Sequence, residues 1–162
     1  DFKDSHMNMV RPGLMMYGIY PKKSLMKNIF LKPALTLKTK VTHLKSMPKG
    51  RGISYGMTYV TQRPTKIATI PIGYGDGYSR HFSNKAEVLI NGRRCPIVGR
   101  VCMDMCMIDV GGLKNIKVGD SVTLIGAQGN EIIRAEELAT LISTIPYEVL
   151  CNIGHRVPRI YK

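Results

Sequence analysis

From Ala34 onward the chain alternates between apolar and polar positions. Leu35, Leu37 and Val41 share one parity and Lys38 and Lys40 the other, which is the period-two signature of a half-buried strand. "PKGRG" closes that strand, and Ile53 to Val60 is expected to form the next, with Tyr55 inside it. "TKIATIPIG" is almost continuously apolar and reads as a strand covered on both faces. "EVLINGRRCPIVG" carries Asn91-Gly92, the strongest hairpin signal in the chain, because both residues tolerate the positive φ of a two-residue turn. "RVCMDMCMIDVG" and "DSVTLIG" supply two more strands. Leu138, Leu141, Ile142 and Ile145 then fall at helical spacing, with Glu136 and Glu137 in the first turn and Pro146 expected to end the helix. Arg134, ahead of Ala135, is a poor N-cap. The pattern predicts a mainly β domain, a small barrel or sandwich with one or two covering helices.

The beginning of the chain does not join this pattern. Residues 9–19, "MVRPGLMMYGI", are apolar but broken by Pro12 and Gly13, which suits the end of a buried strand and the loop after it. "YPKKSLMKNIFLKP" follows as a polar connection. Taken alone, Leu14, Met15, Met16, Tyr17 and Ile19 have no core to enter. Residues 1–31 are therefore expected to be the last element of another unit, and residues 32–162 the β domain.

Composition narrows the class. A chain of 162 residues with 44% hydrophobic and 22% charged content is of the size and balance of one soluble globular domain. No apolar run approaches the roughly 20 residues of a membrane span. "DFKDSHMNMV" lacks the basic-then-apolar order of a signal peptide. Cys95, Cys102, Cys106 and Cys151 form no CxxC pair and meet no zinc pattern with His6, His43, His81 or His155, so reduced thiols in a cytoplasmic protein are expected, with no metal. A net charge of +13 would ordinarily suggest nucleic acid. The basic residues are dispersed, however, and aromatic residues reach only 7% with no stacking motif. A missing, more acidic part of the polypeptide explains the charge equally well.

The chemistry-bearing stretches are individually modest. "PIGYGDGYSR" sets Gly73, Gly75 and Gly77 at alternate positions, but neither a phosphate loop nor a dinucleotide fingerprint has that spacing. It reads as a strand entering a tight loop, with Asp76 making an Asx-type bond and Tyr74 and Tyr78 packing or lining a rim. "ISYG", "GRVCMD" and "CNIGHRVPR" each have an ordinary packing explanation.

Taken in order, "MVRPGLMMYG", "LKPALTLKTKV", "ISYGMTYVT", "IATIPIGYGDGYSR", "VGRVCMDMCMIDV", "VGDSVTLIG", "AEELA" and "IGHRVPRIY" closely resemble the C-terminal part of the alanine racemases, from about residue 8 to the end. The resemblance implies a pyridoxal 5′-phosphate enzyme with an N-terminal (β/α)8 barrel and a C-terminal β domain. The cofactor's lysine would lie in the barrel, outside this chain, so the isolated chain is expected to be inactive. Racemisation of alanine asks for two bases on opposite faces of the reacting carbon. The resemblance makes Tyr55 one of them and the absent lysine the other. A phenol ordinarily ionises near pH 10, so such a base needs positive charge nearby.

Arg11 matches the arginine on the cofactor's pyridine nitrogen, and the N–H groups of Gly13 and Leu14 match donors to its phosphate. Met103 matches the residue whose backbone amide holds the substrate carboxylate, and Tyr74 a tyrosine at the mouth of the site. The family commonly has a phosphate-binding tyrosine where this chain has His155, and an imidazole is shorter than a phenol. The resemblance also implies a homodimer with shared sites, in which Tyr55, Tyr74 and Met103 serve the partner's cofactor and Arg11, Gly13, Leu14 and His155 their own. It implies alanine as substrate, with neither nucleic acid nor membrane as partner. Two other readings stand beside it: a basic β-barrel module that binds nucleic acid, and a related racemase for another amino acid such as lysine, ornithine or serine.

Overall fold

The computed structural model describes residues 6–161. The chain divides into two compact units between Leu35 and Thr36. Among the described residues the larger unit contains ten strands: β1 (Leu37–Lys40), β2 (His43–Met47), β3 (Gly52–Ile53), β4 (Tyr59–Val60), β5 (Thr65–Ile70), β6 (Glu87–Ile90), β7 (Arg93–Pro96), β8 (Cys106–Asp109), β9 (Ser121–Gln128) and β10 (Glu131–Ile133). Two helices follow, α1 (Ala135–Leu141) and α2 (Pro146–Cys151).

The strands form three antiparallel sheets. One runs β1-β9-β6-β7 with β10 also on β9, one runs β2-β5-β8, and β3 pairs with β4. The predicted mainly β unit with covering helices is present, but its sheets do not close into a barrel. The single strand expected from Ala34 is instead two strands, because the chain turns at the buried Val41: β1 joins one sheet and β2 the other. Besides that corner, a bridge between Ile97 and Ile108 links the two larger sheets.

Pattern and burial agree strand by strand. Leu37 and Val41 are buried while Lys38 and Lys40 face out. The stretch of β9 from Val122 to Gly126, apolar but for Thr123, is buried, as befits a strand paired on both edges. Asn91 and Gly92, at φ 51 and 70, make the β6–β7 turn. Ile70, Leu89, Ile90, Ile108 and Leu124 are fully excluded from solvent and form much of the core.

Helix α1 stops earlier than predicted. Ser143, at φ 57, takes the left-handed position after the helix end, and its neighbour Thr144 donates back to the Ala139 carbonyl. Pro146 therefore does not end α1 but opens α2, where its fixed φ fits and its missing N–H costs nothing.

One polar cluster pins α1 to the sheet. Arg94 on β7 donates to Glu137 at 2.5 Å, Glu131 at 3.0 Å, Glu87 at 3.3 Å and the Ile132 carbonyl at 2.6 Å. These bonds, Glu137 first, raise the Arg94 pKa further. The group is about a third exposed, so solvent screens much of its Coulomb energy. Arg94→Ala leaves three carboxylates facing one another and is expected to lower stability by roughly 2 kcal/mol, read as a lower urea midpoint with unchanged slope.

Among the described residues the smaller unit holds two short 3-10 turns, Gly13–Tyr17 and Lys23–Lys27. Gly18, at φ 74, ends the first turn and lies so close to the Lys32 carbonyl that a Cβ there would fall 1.9 Å from its oxygen. Leu14 and Ile19 are buried, whereas Met7, Met9, Met16 and Phe30 are exposed. The expected terminal barrel strand forms no ladder among the described residues, since a strand is defined by a paired neighbour and none lies within this unit. Residues 1–5, also assigned to that element by the sequence, lie outside the described residues. No helix among the described residues is long and apolar enough to cross a membrane.

Candidate active site

Tyr55 does not sit in a strand. Ile53 ends β3 and Tyr59 begins β4, and between them Tyr55–Met57 is one 3-10 turn. Ser54, Gly56 and Met57 all have positive φ, at 63, 68 and 46. The strand expected from Ile53 to Val60 is broken by this turn, and Tyr55 is left 74% exposed within it.

The glycine-rich loop explains itself through its neighbours. Tyr74 N–H donates to the Cys102 carbonyl at 3.0 Å and Gly75 N–H to the Met103 carbonyl at 2.8 Å. This approach is possible because residue 73 is glycine: a Cβ there would lie 2.1 Å from the Cys102 oxygen. Gly77, at φ 97, packs equally closely on the Asn152 carbonyl. Asp76 makes the expected turn bond, accepting from Gly73 N–H at 2.9 Å, and its other oxygen pairs with Arg156 at 3.3 Å.

The same contact orients Met103. In a trans peptide the carbonyl and the next N–H point in opposite directions. With the Cys102 carbonyl held by Tyr74, the Met103 N–H faces away from that loop, and no hydrogen bond from it is found among the described residues. The segment is braced from behind, where Val101 N–H donates to Ser83 Oγ at 2.9 Å and Gly99 N–H to Asn84 Oδ1 at 2.6 Å.

These elements converge. Tyr55, Tyr74 and Met103 line one open cavity of about 790 Å³, together with Arg80 and Arg100. The Arg100 guanidinium also lies against Gly56, beside the Tyr55 turn. Sequence reasoning did not single out either arginine, although Arg100 stands immediately before "VCMD". Basic side chains in a basic chain carry no positional signal until the fold places them.

Two other tyrosines, Tyr59 and Tyr78, are held toward the neutral phenol. Burial and then Asp109, whose Oδ2 accepts from Tyr59 at 3.4 Å, raise the Tyr59 pKa. Burial raises that of Tyr78 well above the ordinary value, and its ring packs on Phe82 at 4.7 Å. Burial likewise pushes the Cys95 thiol up to about 11 and Cys106 higher still. The four cysteines are free; Cys95, Cys102 and Cys106 are buried, as the sequence suggested, whereas Cys151 is exposed. Among the described residues no group of His, Cys, Asp or Glu is arranged to hold a metal.

His155 is exposed in the turn after α2 and does not line the cavity. In the smaller unit Arg11 is exposed, and Gly13 and Leu14 open a 3-10 turn whose first N–H groups have no backbone partner among the described residues. Such open donors, with a guanidinium two residues away, have the chemistry to hold a phosphorylated cofactor.

The family model described as "Alanine racemase, C-terminal domain" matches residues 34–161. The chain belongs to that family. It is 55% identical over its whole length to the alanine racemase of Halothermothrix orenii and 50% identical to that of Methanococcus maripaludis, covering 43% of each protein. The chain thus spans well under half the length of these racemases. The crystal structure of Bacillus anthracis alanine racemase with bound L-Ala-P superposes with a TM-score of 0.86 at 48% identity, over 91% of this chain and 38% of that one. Bartonella henselae alanine racemase, with covalently bound pyridoxal phosphate, gives 0.86 at 37% identity, over 95% and 42%.

Proposed function

We propose that this chain is the C-terminal portion of a pyridoxal-phosphate-dependent alanine racemase and that it contributes one of the two bases of the reaction. The observation that carries this reading is that Tyr55, Tyr74 and Met103 line one cavity together with Arg80 and Arg100. Bound pyridoxal 5′-phosphate, held through a lysine outside this chain, would supply the electron withdrawal that acidifies the substrate's α-carbon. The Tyr55 phenol takes or returns the proton on one face of that carbon. The Met103 N–H holds the substrate carboxylate, and Tyr74 narrows the mouth of the site.

Arg11 would face the cofactor's pyridine nitrogen. A guanidinium keeps its own proton, so that nitrogen stays unprotonated and side reactions are limited. The N–H groups of Gly13 and Leu14 would hold the phosphate. Residues 1–31 would complete the barrel that carries the lysine, covering the exposed Met7, Met9 and Phe30.

Tyr55, Met103 and Met105, exposed and lining the cavity, would offer apolar surface to a second subunit. Tyr55, Tyr74 and Met103 would therefore serve the partner's site in a cytoplasmic homodimer. The test is racemisation by the full-length protein with L-alanine, L-lysine, L-ornithine and L-serine as substrates. Turnover fastest on alanine, with none by the 162-residue chain alone, is expected. Activity of the isolated chain, or none of the whole protein on alanine, would overturn the reading.

A further inference from the structure

Ser54 is the most strained position next to the cavity. Its backbone lies at φ 63 and ψ −175, a region occupied almost only by glycine. Nothing about a serine side chain favours that conformation, so it persists only if something else holds it. The hydroxyl supplies the hold: Ser54 Oγ donates to the Arg100 carbonyl at 2.7 Å and lies 3.6 Å from Cys102 Sγ. Gly99 makes room for it, since a Cβ there would fall 2.7 Å from Ser54 Cβ and from the Ile53 carbonyl. The Ser54 carbonyl in turn accepts from Met57 N–H at 3.2 Å and closes the turn that displays Tyr55.

These bonds tie two functional segments together. On one side is the Tyr55 turn, carried between the two short strands β3 and β4. On the other is the segment that ends in Met103. We infer that Ser54 is a positioning residue for proton transfer: its hydroxyl fixes where the Tyr55 phenol stands relative to the Met103 amide. Glycine at this place would accept the backbone angles but also many others, and the phenol would wander. Serine gives up conformational ease for a fixed anchor. The inference rests on the proposed role of Tyr55 as a base.

The experiment uses the full-length, cofactor-loaded racemase carrying Ser54→Ala, Ser54→Gly or Tyr55→Phe. Each is assayed in both directions with α-protonated and α-deuterated alanine, and a crystal structure of Ser54→Ala is determined. For both Ser54 variants kcat is expected to fall about tenfold or more, with KM for alanine changed little. The α-deuterium isotope effect is expected to rise for the enantiomer whose proton Tyr55 removes and not for the other. In the crystal structure the backbone at position 54 leaves the positive-φ region and the Tyr55 ring shifts.

A merely structural role would move both isotope effects together, or would leave kcat unchanged while lowering the unfolding midpoint. Either result overturns the inference, as does an unmoved Tyr55 ring. Ser54→Gly keeps the test usable if Ser54→Ala folds poorly, because glycine accepts the native angles. Tyr55→Phe separates the two claims. If it leaves both isotope effects as they were, Tyr55 is not the base; if it changes one while the Ser54 variants change neither, only the role of Ser54 fails.

Discussion

Tyr55→Phe in the full-length protein is expected to reduce kcat for alanine racemisation by about 10³-fold, the usual range for losing a positioned acid–base group. The substitution removes a single oxygen from a ring that is 74% exposed in this chain, so it leaves no buried cavity and no unpaired partner. Stability should therefore stay within the small range of surface changes, and KM should move little, because the substrate carboxylate is assigned to the Met103 amide. Tyr78→Phe is the matched control. It also deletes a phenolic oxygen, but one that is buried and without a hydrogen-bond partner among the described residues, and it should leave kcat intact. Steady-state kinetics of the two variants, beside their urea midpoints, decide the matter. Equal losses in both would remove the case for Tyr55.

Gly73→Ala is expected to be nearly as damaging by a different route. The residue's own backbone, at φ −155, is acceptable to alanine. The obstacle is that the added methyl would stand 2.1 Å from the Cys102 carbonyl and 2.6 Å from the Met103 carbonyl carbon. Both atoms belong to backbone, so the two loops must part. Parting them breaks the Tyr74 N–H to Cys102 bond that turns the Met103 N–H away from the glycine loop. A displacement of about 1 Å at a positioning group costs about 100-fold in rate, and kcat/KM should fall by that order. Forced overpacking should also lower stability by roughly 1–3 kcal/mol. A normal kcat/KM in a folded Gly73→Ala enzyme would show that the contact between the loops does not orient the amide.

The β pattern was legible where neighbours in sequence determine the outcome. The parity of Leu37 and Val41 against Lys38 and Lys40, the Asn91-Gly92 turn and the buried run of β9 follow from local geometry and burial alone. What the sequence hid were features decided by distant partners. The Tyr55 turn reads as part of a strand until Ser54 is seen bonded to Arg100, far along the chain. Pro146 looks like a stop signal, but Ser143 ends α1 first and leaves the proline free to begin α2.

The corner at Val41 sends consecutive strands to different sheets, which no hydrophobic pattern encodes. Within the candidate site, Tyr55, Tyr74 and Met103 were identifiable by resemblance. Their meeting in one cavity, and the positive charge of Arg80 and Arg100 around them, required the fold. The alternating glycines, unexplained as a motif, mark places where one backbone lies on another.

Complementation between subunits tests the central claim most directly. One full-length racemase carries Tyr55→Phe, and the other has its cofactor lysine replaced. Each alone should be nearly inactive. If Tyr55 serves the partner's site, unfolding and refolding the two together makes hybrid dimers in which one site has both bases, and the mixture recovers about a quarter of the normal activity. If Tyr55 acts in its own subunit, or not at all as a base, the mixture does not gain activity over its components, and the account is contradicted.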